Sequence, residues 1–284
     1  MNRNGAGIAG DGDPAAAASS GPSGPPLQSP SPAVSIAGVR VDALDRGQAA
    51  EAILSAVARS SPTAVHLCNA YVLALASSDR RYASLLDRGD LNLADGASVA
   101  RFARKAGLDV AKRPSGVELV EAVIQEGMAT GLRHYFYGGD EATVKALAER
   151  LRSHFDGVVI VAADAPPFGP VTDEQLDELA VRLSAAAADI VWVGLGTPKQ
   201  DDVVDRLRAR FDGPAVPVGA AFDFIAGTKP RAPLFLRRLG LEWVHRLATE
   251  PRRLWKRYLW GNIRFLWARA RTGRVLRRFD EGDA

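Results

Sequence analysis

Hydrophobic residues between Ser35 and Phe224 form short continuous runs that alternate with longer amphipathic stretches. Several runs end near Gly, Asp or Asn and predict buried strands: AVHLCNA, LNLAD, RHYFYGG, VVIVAAD, DIVWVGLG and AVPVGAAFD. Two intervening stretches, DEATVKALAERLRSHF and TDEQLDELAVRLSAAAA, have helical periodicity and capping Asp or Thr residues near their starts. This order predicts an α/β fold with a Rossmann-like parallel sheet and helices on both faces.

The two ends of the chain have a different pattern. Residues 1–33 are rich in Gly, Ala, Ser and Pro, and predict a disordered leader that lacks the apolar segment of a signal peptide. No strand pattern follows Phe224, and the remaining sequence predicts helices that break near Pro251. We therefore expect a leader at 1–33, an α/β domain at 34–228 and a basic and aromatic helical appendage at 229–284.

Composition narrows the class of protein. The chain has 284 residues, 47% hydrophobic and 24% charged, which is enough to bury the core of a globular protein. Its single cysteine, Cys68, excludes an intramolecular disulfide and a thiolate metal cluster, and fits a reducing compartment such as the cytoplasm. No apolar run approaches the roughly 18 residues that a membrane-spanning helix needs.

Charge is distributed unevenly. The net charge is +3, but residues 229–278 contain 15 basic and 2 acidic residues, so this segment carries +13 and the rest of the chain carries −10. A helical projection of the segment separates an aromatic and aliphatic face (Trp255, Tyr258, Leu259, Ile263, Leu266) from a basic face (Arg253, Arg257, Arg264, Arg271). We interpret this pattern as a helix in the interface of an anionic membrane. A terminal helix packed on the acidic body and a nucleic-acid-binding helix are the alternatives.

The stretch LNLADGASVARF places Asp95 at the end of a predicted strand. Taken alone, an Asp at this junction is a cap for the following helix. Other polar or glycine-rich segments also end strands, at Asn69 and at Gly138 and Gly139, so the predicted sheet brings them to one edge. A carboxylate beside a cleft at that edge can act as general base toward a sugar hydroxyl.

The segment VGLGTPKQDD resembles a glycine-rich nucleotide turn without matching either common motif. Lys199 occupies the third glycine's place of G-x-G-x-x-G, and the Gly-Lys-Ser/Thr ending of a P-loop is missing. Gly194 and Gly196 would let backbone amides approach a phosphate, with Lys199 and Gln200 as further donors. A tight turn after a buried strand is the alternative.

Two further charged residues are candidates, and a metal site is not predicted. Asp223 follows an apolar strand and suits a ribose diol, although a helix cap or a salt bridge explains its position nearly as well. Arg113, in KRPSG, is by default a solvated loop charge. The four histidines have neither regular spacing nor neighbouring carboxylates in sequence. A bound diphosphate would then be neutralised by Arg, Lys and helix N-termini.

Taken together, these segments resemble a known family from about Ser35 to Arg257. The sequence is similar to the WecG/TagA/CpsF glycosyltransferases, glycosyltransferase family 26. The strings that carry the resemblance are CNA, LADG, RPSG, YFYGG, DIVWVGLGTPKQ, VGAAFDFIAGTKPRAP and LGLEWVHRLATEPRR.

The resemblance implies an inverting transferase that works without a metal or other cofactor. Such an enzyme moves a sugar from a UDP donor to a polyprenyl-diphosphate-linked acceptor, in the synthesis of teichoic acid or other surface polysaccharides. The donor sugar in the family is N-acetylmannosamine, its uronic acid or glucose. We expect a peripheral protein on the cytoplasmic membrane face, bound through its appendage to anionic lipid and without a nucleic-acid partner; a homo-oligomer is left open.

The resemblance also assigns roles to individual residues. It makes Asp95 the general base, Asn69 a pocket asparagine and Arg113 an active-site arginine. It matches Gln200 with the glutamine of the PKQ string and Asp223 with the nucleotide-side aspartate. It further places three arginines of the C-terminal region over the diphosphate: Arg246, Arg252 and Arg253.

One position departs from the family pattern, and two other functional classes are weighed. Many members have a threonine two residues before the asparagine, where this chain has Leu67, which leaves the donor and acceptor open.

A nicotinamide-dependent oxidoreductase would share the sheet but needs a complete glycine fingerprint. A non-catalytic adaptor for membranes or nucleic acid would explain the basic appendage but would leave the residues at the sheet edge without a role.

Overall fold

A computed structural model of the chain describes residues 31–105, 107–108, 114–238, 241–252, 255 and 278–279. These residues form one sheet of nine strands: β1 (Ala33–Ile36), β2 (Val39–Asp42), β3 (Thr63–Cys68), β4 (Leu91–Ala94), β5 (Arg133–Gly138), β6 (Val159–Asp164), β7 (Ile190–Gly194), β8 (Pro214–Pro217) and β9 (Arg278–Phe279).

The helices of the same described residues connect these strands. They are α1 (Arg46–Ala58), α2 (Ala70–Ala76), α3 (Arg80–Asp87), α4 (Ala97–Lys105), α5 (Gly116–Gly127), α6 (Glu141–His154), α7 (Asp173–Ala185), α8 (Lys199–Leu207), α9 (Ala221–Ala226), α10 (Leu234–Arg238) and α11 (Glu242–Thr249), with a 3₁₀ turn at Met128–Thr130.

The strand order is β6-β5-β7-β8-β3-β4-β2-β1-β9. Each neighbouring pair from β6 to β2 is parallel, and β1 is antiparallel to both of its neighbours. All of the predicted strands are present as β3 to β8. The two predicted helices are α6 and α7, capped by the side chains of Asp140 and Thr172. The predicted α/β class with a largely parallel sheet is therefore confirmed.

Two features at the β1 edge of the sheet were not predicted. β1 and β2 form a hairpin whose turn, Ala37 and Gly38, has positive φ at both positions, 54° and 84°. The expectation that no strand follows Phe224 is wrong at Arg278 and Phe279, because β9 pairs with β1. An edge strand exposes unpaired backbone groups, and these can order a short segment that has no strand pattern of its own. Residues 1–30 of the predicted leader lie outside the described residues.

Alternating side chains of the strands pack against helices on both faces of the sheet. Phe136 and Trp192 lie in one core with residues of α1, α5, α6 and α9. Tyr135 and Val191, one residue away on the same strands, lie in a second core with residues of α7 and α8. Residues of α2, α3 and α4 pack with Cys68 in a third core. The prediction of helices on both faces is thus confirmed.

The parallel strands end at one edge of the sheet because their registers are aligned. Cys68 is paired with Ala94 at the ends of β3 and β4. Gly138 is paired with Gly194 at the ends of β5 and β7, and Val193 with Pro217 of β8. Segments that follow these strands therefore meet along the carboxyl edge, where open α/β sheets bind ligands.

Candidate functional site

A cleft of about 1420 Å³ opens at the carboxyl edge of the sheet. Its floor is made by the segments after β5, β7 and β8, and its walls by α3 and by residues 166–171 after β6. Of the residues predicted from the sequence, the cleft brings together Gly139, Gly194, Gly196, Lys199 and Asp223.

The floor of the cleft requires glycine at two strand ends. Gly138 has a φ of 140°, and a Cβ there would lie 2.5 Å from the carbonyl carbon of Gly194. A Cβ on Gly194 would lie 2.5 Å from the ring of Phe222. The amide of Gly139 donates to the carbonyl of Gly194 at 3.1 Å, which ties the two strand ends together. The floor is therefore backbone, and a ligand can approach it closely.

The turn after β7 is held from inside by Gln200. The amide of Gly196, where φ is 76°, donates to Oε1 of Gln200 at 2.9 Å. Gln200 is buried, whereas the preceding residue, Lys199, lines the cleft. Partial burial lowers the pKa of the Lys199 ammonium. Gln200 thus stabilises the turn, and its predicted contact with a nucleotide stays a prediction.

Asp223 lies on α9 at the other end of the cleft. Its carboxylate forms an ion pair with Nζ of Lys229 at 2.9 Å, and Lys229 also lies 3.2 Å from the carboxylate of Glu250. The salt bridge that was weighed for Asp223 is therefore present, and Asp223 also lines the cleft. Asp223 can therefore both form a structural ion pair with Lys229 and contact a ligand in the cleft.

Asn69 and Asp95 lie side by side at the ends of β3 and β4. Oδ1 of Asn69 accepts from the amides of Tyr71 and Val72, which caps α2. The amide of Asp95 donates to the carbonyl of Cys68, directly before Asn69, at 3.0 Å. Asp95 is half-buried. Because Oδ1 of Asn69 serves the helix, its Nδ2 amide is the group that remains for a substrate.

The strand order explains why the predicted site residues do not all meet in one cavity. β3 and β4 lie two and three strands from β7 in the sheet. Neither Asn69 nor Asp95 is among the described residues that line the cleft. The common edge is confirmed, but the pair lies beside the cleft and not in its wall.

The predicted arginines are placed only in part. The guanidinium carbon of Arg246 lies 5.6 Å from the ring centroid of Phe224, which neighbours Asp223 on α9. Arg252 is exposed after α11. Arg113 and Arg253 lie outside the described residues, as does most of the predicted interfacial helix.

Comparison with known proteins decides the family. The model of the glycosyl transferase WecG/TagA/CpsF family matches residues 34–278. The chain belongs to this family. It is 32% identical over 185 residues, 65% of this chain and 70% of the relative, to the N-acetylglucosaminyldiphosphoundecaprenol N-acetyl-beta-D-mannosaminyltransferase of Bacillus spizizenii strain ATCC 23059 / NRRL B-14472 / W23. The resemblance seen in the sequence is confirmed, and the protein is a glycosyltransferase rather than an oxidoreductase or an adaptor.

Sequence reasoning about this WecG/TagA/CpsF glycosyltransferase missed one wall of the cleft. Arg80 and Arg81 of α3 and Arg88, directly after α3, line it. The only signal in the sequence was the string DRR at a helix start, which is also typical of a solvated helix face. The wall arises because α3 packs on the sheet beside α8, and that contact joins segments more than 100 residues apart in sequence.

A buried polar network lies behind this wall. Oδ1 of Asp201 lies 3.2 Å from Nδ1 of His66, and Oδ2 accepts from the hydroxyl of Tyr82 at 2.8 Å. His66 has no neighbouring carboxylate in sequence, but the fold gives it one, because Asp201 lies 135 positions away along the chain. Among the described residues of this glycosyltransferase, no group of three or more His, Cys, Asp or Glu side chains is arranged to hold a metal ion. None of its described helices is both long and apolar enough to cross a membrane.

Proposed function

We propose that this glycosyltransferase transfers N-acetylmannosamine from a UDP donor to a polyprenyl-diphosphate-linked N-acetylglucosamine. The name of the Bacillus spizizenii relative supports this pair of substrates. The observation that carries the proposal is the carboxyl edge of the sheet, where a glycine-floored cleft lies beside the pair Asn69 and Asp95. The cleft supplies a place for a nucleotide diphosphate, and the pair supplies a base.

The donor side of the proposed site is the cleft. In the proposed complex, the ammonium of Lys199 binds the diphosphate, and Asp223 binds the ribose hydroxyls. The amide of Gly196 already donates to Gln200, so the glycines allow close approach of the ligand and do not supply that amide as a donor. Arg246, on the neighbouring α11, is the described member of the arginines expected to cover the diphosphate. Fixed positive groups at this place stabilise the negative charge that develops on UDP as it leaves.

The acceptor side of the proposed site is the pair at the ends of β3 and β4. Asp95 takes the proton from the acceptor hydroxyl while that oxygen attacks the anomeric carbon. UDP leaves from the opposite face of the sugar, so the configuration inverts. The Nδ2 amide of Asn69 positions the acceptor. A positioned general base typically contributes ~10²- to 10⁴-fold to the rate.

We place the enzyme on the cytoplasmic membrane face, where a lipid-linked acceptor is available. α10 and α11 expose large apolar side chains, among them Leu234 at 64% and Phe235 at 62% exposure. The segment that contains these helices is also the strongly basic part of the chain, with charge +13 over residues 229–278. Exposed apolar groups within a basic segment favour an anionic lipid surface.

The decisive experiment replaces the proposed base. The wild-type enzyme is incubated with UDP-N-acetylmannosamine and a short-chain prenyl-diphosphate N-acetylglucosamine in the presence of EDTA, and the product is identified by mass analysis. We expect transfer by the wild type, because cationic side chains and backbone amides stabilise the charge of the diphosphate without a metal ion. Asp95→Asn should lower the rate by ~10²- to 10⁴-fold and leave the thermal stability nearly unchanged.

A matched control separates loss of the base from loss of charge. Asp156→Asn makes the same change at an exposed carboxylate in the segment between α6 and β6, at the opposite edge of the sheet, and should retain full activity. Wild-type turnover by Asp95→Asn would refute the assignment of the base. Transfer that requires added Mg²⁺ or Mn²⁺ would refute the metal-independent reaction.

A further inference from the structure

Phe168 is an exposed aromatic side chain in the wall of the cleft. The described residues that line the cleft include two aromatic rings, those of Phe168 and Tyr82. Tyr82 is buried and its hydroxyl donates to Asp201 at 2.8 Å, so its ring is occupied by packing in the protein. Phe168 is fully exposed. A single exposed apolar side chain is common on a protein surface, but one in a binding cleft offers its face to a ligand.

The loop that carries Phe168 is anchored at both ends. At its start, Asp164 is the last residue of β6, and its carboxylate accepts from the hydroxyl of Tyr135. At its end, Val171 is buried, and its carbonyl accepts from the guanidinium of Arg206 at 2.9 Å. The loop is therefore fixed to the sheet on one side and to α8 on the other.

Prolines restrict the backbone between these anchors. Pro166 and Pro167 precede Phe168, and Pro170 follows two residues later. Each proline fixes one φ angle, so the loop loses less conformational entropy when a ligand binds to it. The ring of Phe168 is thus held in the cleft wall by a restrained backbone.

This wall lies in the same cleft as the residues proposed for the diphosphate and the ribose, Lys199 and Asp223. The loop follows β6, which pairs with β5, and β5 ends at the glycine floor. Asp223 directly follows Phe222, whose ring centroid lies 5.7 Å from that of Phe136 in β5. Neighbouring strands are about 5 Å apart, so the loop after β6 and the start of α9 lie near the same strand end. The base of a nucleotide that occupies this floor is then close to the loop.

The surroundings of Phe168 favour a nucleobase over a lipid chain. Of the 28 described residues that line the cleft, 11 carry a charged side chain. The large aliphatic residues of this lining, Leu85, Val171 and Leu195, are buried or partly buried. The described lining therefore lacks the continuous apolar surface that an isoprenoid chain would cover. A base has an apolar face and polar edges, which suit one aromatic ring among polar groups.

We propose that the ring of Phe168 stacks on the uracil of the donor nucleotide. This inference rests on the proposed function, in which UDP is the nucleotide of the donor. Phe168 would hold the base while Lys199 binds the diphosphate, so the two residues act at opposite ends of the nucleotide. Because every base has a π-face, stacking strengthens binding of the nucleoside without selecting uracil.

The test compares two ligands on variants of the full chain. Each variant is titrated calorimetrically with UDP and, separately, with inorganic pyrophosphate, which carries two phosphates and no base. Phe168→Ala should bind UDP ~5- to 150-fold more weakly and pyrophosphate as the wild type does. Phe168→Leu keeps an apolar side chain without a π-face and should lose nearly as much UDP affinity. Phe168→Trp should retain UDP affinity, and UDP should quench its fluorescence more than that of the wild type.

Two controls assign the effect to the ring. Val181→Ala shortens an exposed apolar side chain of α7 outside the described lining, and should bind both ligands as the wild type does. Lys199→Ala should weaken the binding of UDP and of pyrophosphate together. Because Phe168 is exposed, its variants should keep the thermal stability of the wild type.

Three results would overturn the stacking while transfer by the wild type still supports the function. They are unchanged UDP affinity in Phe168→Ala, wild-type UDP affinity in Phe168→Leu, and an equal loss for UDP and pyrophosphate. If Phe168→Ala keeps its UDP affinity and instead binds a short-chain prenyl diphosphate or anionic vesicles more weakly, the ring contacts lipid and the proposal is wrong. A wild type that does not bind UDP overturns both the stacking and the proposed function.

Discussion

Replacing Gly138 with alanine tests whether the backbone floor of the cleft is as tightly closed as the geometry indicates. Gly138 ends β5 and has a φ of 140°, a value that side-chain-bearing residues rarely adopt. The added Cβ would lie 2.5 Å from the carbonyl carbon and 2.6 Å from the carbonyl oxygen of Gly194. Neither partner is the end of a flexible side chain, so one strand end has to move.

Two costs add in this variant. Holding a non-glycine residue at such a φ costs about 1–3 kcal/mol. Forcing the ends of β5 and β7 apart is an overpacking of well-packed backbone, which costs about 1–3 kcal/mol more. We therefore expect Gly138→Ala to lower the free energy of unfolding by about 2–6 kcal/mol. The hydrogen bond from Gly139 to Gly194 should weaken as well, and the affinity for UDP should fall with it.

The assay is denaturant unfolding together with UDP titration, and Gly157→Ala is the matched control. Gly157 also has a positive φ, 85°, but a Cβ there would meet no atom within 4 Å. This control carries the backbone strain without the collision and should cost about 1–2 kcal/mol, with unchanged UDP affinity. The reasoning is refuted if Gly138→Ala is no less stable than Gly157→Ala, or if it binds UDP as tightly as the wild type.

Two further predictions concern the surface and the core. Leu234→Ser/Phe235→Ser should weaken sedimentation with anionic vesicles, while Val181→Ser, at an exposed apolar residue of α7, should not; equal binding by both would contradict the membrane contact of α10. Burial lowers the pKa of His134 to about 4, from 6.5 when unfolded, and Trp192 donates to its Nδ1 at 3.1 Å. Below pH ~6.5 the unfolded state takes up a proton that the folded state does not. The free energy of unfolding therefore falls by up to about 3 kcal/mol as the pH drops from ~6.5 toward 4. Urea unfolding of wild type and His134→Gln at both ends of this interval should show the smaller pH dependence in the variant.

The parallel part of the sheet was predictable because its strands are buried on both faces. Such strands are continuous apolar runs, and β5 and β7 are examples with nearly every residue buried. The hairpin of β1 and β2 escaped prediction although its strands are as long as β4 and β8, because its turn, Ala37 and Gly38, is not one of the usual hairpin dipeptides. The two residues of β9 gain their strand conformation from pairing with β1, which no local pattern reveals.

The candidate site was predictable where it depends on strand ends and not where it depends on helix packing. Asp95 and Asn69 follow predicted strands, so their common edge could be inferred from the parallel order. Arg80 and Arg81 lie on a helix that is positioned by residues distant in sequence. Whether they form ion pairs could not be predicted, because the positions of the nearby carboxylates depend on the fold. The pair His66 and Asp201 is separated by 135 positions in sequence, so it was missed for the same reason.

The network around Asp201 links the two walls of the cleft. Its carboxylate joins β3 through His66 and α3 through Tyr82, and it lies on α8 beside Lys199. A buried carboxylate lowers stability unless its hydrogen-bonding partners are in place. Displacement of α3 relative to α8 would remove the Tyr82 hydroxyl from Asp201 and destabilise the fold. Gly89 belongs to the same arrangement, because a Cβ there would lie 2.6 Å from Cδ2 of His66. The start of α3 and the glycine turn before α8 are therefore kept at a fixed separation in the lining of the cleft.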